Sequence, residues 1–210
     1  MTEKNYDDLL EKIIDVLDRL VDGETTQDDM IRVGNEIFEI ASNNRFYSKI
    51  YADLYSELIH KYDVLKNIFE SSLKSFLCIF ENIEKGTPDE DYDNFCKVKR
   101  DNERRKSLSS FFVNLTINGM ITQEKLIELT TNLLKKVQEY IIMDNMKSEV
   151  DETVENIAIL YNKDWFANTG EIVDGLNFMQ IIEKMARSKV KTYSSLSNKS
   201  IFKFMDMIEM

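Results

Sequence analysis

Apolar side chains recur along this chain at the three- and four-residue steps that mark one face of a helix. The clearest case lies between Arg104 and Thr122, where a basic entrance leads to Leu108, Phe111, Phe112 and Leu115 on a single face. Asn118-Gly119 then signals a helix end, because Gly takes the left-handed conformation without a Cβ clash. Thr122 is placed to cap the following helix with its hydroxyl. Similar punctuation predicts an amphipathic helix over 6–21, with Asp7, Asp8 and Glu11 suited to the dipole of its first turn. Thr25 or Thr26 caps a second helix to about Ser42, in which Gly34 implies a bend or close packing.

A third helix is expected to carry Phe46, Ile50, Tyr51, Leu54 and Leu58, followed by a long helix over 64–84 that is apolar on more than one side. Gly86-Thr87-Pro88 reads as a loop, and the acidic run Asp89 to Asp93 leads into a helix that turns basic at Lys97. Further helices are predicted from Thr122 to about Met143, from Ser148 or Asp151 to Tyr161, from Ile172 to Met185 and from Ile201 to Ile208. The expected fold is all-α, a single domain over 1–210 of about nine or ten antiparallel helices. Pairing them in units of roughly 40 residues suits a right-handed solenoid of about five HEAT-type antiparallel helix pairs. A compact helical bundle satisfies the same periodicity.

Composition supports this class. The chain has 210 residues, 43% hydrophobic, with one Pro and six Gly, which favours long helices over a turn-rich β fold. No apolar run approaches the roughly 20 residues of a membrane span. The polar N-terminus lacks the apolar stretch of a signal peptide, so a cytoplasmic protein is expected, with Cys78 and Cys96 as buried thiols. A net charge of −11 argues against a dedicated nucleic-acid binder, while leaving room for a local basic patch.

Catalytic chemistry finds no foothold. His60 is the sole histidine and falls near a helix C-terminus. No Gly-rich phosphate loop is present, and Asp89 to Asp93 lacks the ordered ligand spacing of a calcium loop. The expectation is a non-enzyme without cofactor or metal. Two basic clusters are candidate RNA contacts: Arg104, Arg105 and Lys106, and Arg187, Lys189 and Lys191.

Three blocks carry a family resemblance. Arg104-Arg105-Lys106-Ser107-Leu108, Phe111-Phe112-Val113 and Met120-Ile121-Thr122 form the first. Ile37-Phe38-Glu39-Ile40-Ala41, Phe46 and Tyr51-Ala52-Asp53-Leu54-Tyr55 form the second, and Ser197 to Ile208 the third. Together they resemble the middle domain of the eukaryotic translation initiation factor 4G scaffold, a five-repeat HEAT solenoid. Asn114 stands where that family usually has Gly. The Asn-, Lys- and Ile-rich composition suggests an AT-rich genome, as in giant viruses or some protists, so the expected compartment for a viral chain is the host cytoplasm.

The resemblance implies a translation-initiation scaffold that binds and stimulates a DEAD-box RNA helicase of the initiation factor 4A type, with auxiliary RNA contact. It assigns helicase contacts to Ile14, Leu17 and Leu20 on the first helix and to Phe202, Phe204 and Met205 on the last. No tyrosine begins the Tyr-x4-Leu segment by which full-length scaffolds hold the cap-binding protein, so that partner would need a non-standard surface. The same fold serving messenger-RNA decay, nuclear cap binding or splicing, and a direct RNA-binding solenoid, are the alternative readings.

Overall fold

The structure, a computed structural model, describes residues 3–23, 26–86, 89 and 91–209. Thr25, Glu90 and the Thr87-Pro88 part of the expected loop lie outside the described residues. The protein is all-α, with ten α-helices and one small hairpin among the described residues. They are α1 (Tyr6–Asp22), α2 (Gln27–Ser42), α3 (Ser48–Lys61), α4 (Asp63–Ser75), α5 (Tyr92–Ile117), α6 (Gln123–Tyr140), α7 (Lys147–Leu160), α8 (Lys163–Phe166), α9 (Phe178–Ala186) and α10 (Asn198–Glu209). Their ends obey local chemistry. Thr26, Asp91, Thr122 and Asn177 each accept a backbone N–H from the first turn they cap. Gly119 ends α5 at φ 77°.

One row of helices can be followed by its polar contacts. In α1, Asp18 accepts from Lys61 Nζ and Tyr62 Oη, while Tyr6 lies near Asp53 and Glu57 of α3. Asn114 donates to Ser48, and Asn118 to Asp53 and Ser56, so α3 and α5 advance together. Ser109 donates to Asn156, and Lys106 faces Glu152, so α5 and α7 do likewise. Ser197 and Ser200 donate to Asp151, and Lys199 pairs with Glu155, bringing the start of α10 against α7. Against this row lie α2, packed on α4, and then the 76–80 segment, packed on α6.

Phe111 and Phe112 tie the row to its neighbours. Successive helical residues point about 100° apart, so the two rings serve different sides of α5. Phe111 meets Phe38 of α2 and Tyr55 of α3 edge-on, at centroid distances of 6.0 and 5.7 Å. Phe112 meets Phe69 of α4 at 6.4 Å and Phe76 at 5.1 Å. Gly34 permits the close packing of α2 on α4, because a Cβ there would stand 2.7 Å from Ile68 Cδ1.

Four expectations need correction. The 64–84 helix is α4 only to Ser75; a 3-10 turn follows over Phe76–Phe80, and Asn82 to Gly86 form no helix. Three residues per turn leave carbonyls exposed at the end of that segment, and Arg105 Nε donates to one of them, Ile79 O, at 2.8 Å. The 172–185 helix is instead a hairpin, Glu171–Val173 paired with Leu176–Asn177, followed by α9. Asp174 (φ 52°) and Gly175 (φ 75°) make its turn, a conformation suited to an Asp-Gly pair. Replacing Gly175 with Ala is expected to cost about 1 kcal/mol, because a Cβ is disfavoured at positive φ; urea unfolding measures the loss. Finally, Phe46 precedes α3 and is 87% exposed, and neither expected buried thiol is buried: Cys78 is exposed and Cys96 half-buried.

Candidate docking surfaces

Helices α1 and α2 both pack on α3 but stand apart from each other, leaving a groove of about 570 Å³. Tyr51, Leu54 and Leu58 of α3 form its floor, with Leu9, Ile13 and Val16 along one wall and Val33, Ile37 and Ile40 along the other. Val16 and Ile40 are 55% and 59% exposed, although both belong to helices rich in apolar residues. At the far end of the row, α10 turns Ile201, Phe204 and Met207 inward and leaves Phe202 and Met205 on the surface.

This arrangement divides the six candidate helicase contacts. Phe202 and Met205 are available to a partner. Ile14 and Leu20 are half-buried against the core, and the Ile14 carbonyl accepts from Tyr62 Oη. Leu17 and Phe204 are buried core residues and cannot be primary contacts while the fold is intact. Val16 and Ile40 are not among the contacts assigned from the sequence, although Ile40 stands in the second of the three resemblance blocks. Val16 lies seven residues after Leu9 and three after Ile13, so α1 carries a wider apolar stripe than its buried positions alone define.

The first basic cluster is mostly structural. Arg104 pairs with Glu39 across to α2. Arg105 is buried, donates to Ile79 O and Asn102 Oδ1, and has its basicity lowered by burial. Lys106 lies among Glu103, Glu152 and Glu155. An RNA phosphate would have to displace these contacts, so Arg105 and Lys106 do not form an open cationic patch. Arg187, Lys189 and Lys191 are exposed, with Arg187 3.8 Å from Glu183.

Glu152 is the chemically unusual member of this region. It is buried, and burial raises its carboxyl pKa to about 7, opposed in part by Lys106, an Asn156 hydrogen bond, Arg105 and Lys199. Asn156 Nδ2 donates to Glu152 Oε1 at 3.1 Å, and Asn156 Oδ1 accepts from Ser109 Oγ at 2.8 Å. Through Asn156, which is bonded to Ser109 of α5, this carboxyl belongs to a buried hydrogen-bonded contact between α7 and α5. His60 is exposed in the last turn of α3.

Among the described residues, no group of three or more His, Cys, Asp or Glu side chains is arranged to hold a metal ion. None of their helices is long and apolar enough to cross a membrane. The chain matches no protein-family model and no curated protein.

Proposed function

We propose that this protein is a non-enzymatic scaffold of the initiation factor 4G middle-domain type, with its helices forming a HEAT-like solenoid. On this reading it binds a DEAD-box RNA helicase of the factor 4A type and biases the relative placement of the helicase lobes. The observation that carries the reading is the row α1, α3, α5, α7 and α10, joined by contacts that advance along neighbouring helices, with a second layer against it. An elongated stack presents separate surfaces at its two ends, here the α1–α2 groove and the Phe202–Met205 face. A two-lobed partner touching both is held in one relative orientation. Stimulation follows only if that orientation is bound more tightly than the others.

The test is a pull-down of a factor 4A-type helicase by the full chain and by a Phe202→Ser, Met205→Ser variant. These side chains are exposed, so the variant should keep its thermal midpoint while helicase retention falls by about tenfold or more. Leu17→Ala or Phe204→Ala would confuse lost binding with lost folding. Absence of helicase retention by the unaltered chain at both low and moderate salt would sink the proposal.

A further inference from the structure

We infer that Asn118 is a deamidation site whose conversion to aspartate loosens the joint between α3 and α5. Asn118-Gly119 is the one Asn-Gly pair in the chain. Glycine in the second position favours the reaction, because no Cβ restricts its backbone or shields its amide nitrogen. The Gly119 nitrogen attacks Cγ of Asn118 and forms an N–Cγ bond. The Cγ–Nδ2 bond breaks, the Gly119 N–H proton passes to water, and the side-chain nitrogen leaves as ammonia. Water then opens the resulting five-membered imide at either carbonyl. One product is aspartate; the other, isoaspartate, carries the main chain through the side-chain carbonyl carbon. Water is the only co-reactant.

The folded joint engages both reacting groups. Asn118 is the C-cap of α5 at φ −79° and ψ 0°, and the Gly119 N–H donates to Thr116 O at 3.0 Å. Asn118 Nδ2 donates to Asp53 Oδ1 at 2.9 Å and to Ser56 Oγ at 3.1 Å, both on α3. Attack requires these bonds to break and the backbone around Asn118 to turn. Gly119 leaves room for that turn, because it is exposed and nothing lies within 4 Å of where its Cβ would stand. The reaction is therefore paced by local opening of the joint.

The product cannot remake the joint. The amide donor becomes an acceptor facing Asp53 Oδ1, which is itself an acceptor. Ser56 offers no replacement, because its hydroxyl already donates to Ala52 O at 2.7 Å. Lys49 pairs with Asp53 Oδ2, so two carboxylates would share one lysine. Like charges this close repel, and both bonds from Asn118 to α3 are lost. Asn114, which donates to Ser48 one turn earlier, still tethers α5 to α3, so the joint loosens without coming apart.

The test holds the full chain in mildly alkaline buffer with and without urea, and peptide mass spectrometry reads aspartate and isoaspartate at this position. Conversion should run at least about tenfold faster in urea than in the folded chain. Gly119→Ala should slow it in urea, where the fold no longer matters. Asn118→Asp, made directly, should raise the unfolding equilibrium constant by about tenfold. Asp53→Asn in the same chain should recover most of that loss, because it supplies an amide donor from the α3 side. Absence of conversion at Asn118 in urea would overturn the site, and equal rates in folded and unfolded chains would overturn its control by the joint. An Asn118→Asp variant as stable as the parent, or one that Asp53→Asn does not rescue, would overturn the loosening. No helicase enters these measurements, so their failure and that of the scaffold reading are distinct.

Discussion

Phe112→Ala is expected to lower the unfolding free energy by about 3–5 kcal/mol and the thermal midpoint by roughly 10 °C. The ring is fully buried and sits against Phe69 of α4 and Phe76 of the 3-10 turn. Truncation removes its transfer free energy and leaves a cavity between elements that are already tightly joined. Relaxation is restricted because Phe111, one residue away, is held edge-on by Phe38 and Tyr55 on the other side of α5. Phe202→Ala provides the comparison: the same residue type on an exposed face should change stability by no more than about 0.5 kcal/mol. Urea titration of both variants measures the difference. A loss below 1 kcal/mol for Phe112→Ala would remove the buried junction from this description of the core.

The second large effect concerns pH. The Glu152 carboxyl pKa is about 7 in the folded protein against a reference of 4.5, so between those values the folded state binds more protons than the unfolded state. Stability contributed by this group is therefore present at the acidic end and lost as pH rises from about 4.5 to about 7. At 1.4 kcal/mol per unit the loss is on the order of 3 kcal/mol. Neighbouring groups act elsewhere: Glu155, with its pKa lowered against the burial effect by Lys199 and Lys106, loses its stabilising contribution only under more acidic conditions. Glu152→Gln should flatten the profile between pH 5 and pH 8 and make the variant more stable than the parent at pH 8. Urea unfolding at steps of pH provides the measurement, and an unchanged slope in the variant would refute the assignment.

The sequence was most legible where the controlling interactions were local. Thr26 and Thr122 act three residues along the chain, and Gly119 acts through its own backbone, so each could be recognised in isolation. Asp174-Gly175 carried an equally local turn signal, but the apolar run from Ile172 to Met185 masked it. Arg105 was harder to interpret because its acceptor, Ile79 O, lies 26 residues away. Glu152 was not recognised for the same reason: its environment is assembled from α5, α7 and α10. Leu17 and Val16 show the limit most simply. Periodicity places both on the apolar side of α1, whereas burial of one and exposure of the other depend on the spacing between α1 and α2.

The row also has a consequence for local opening. Its inner helices are gripped on both flanks, whereas α1 has α3 as its chief support. Releasing α1 would break fewer contacts than releasing α5, placing the groove wall near the low end of the molecule's range of unfolding energies. Amide protons of α1 should therefore exchange sooner than those of α5.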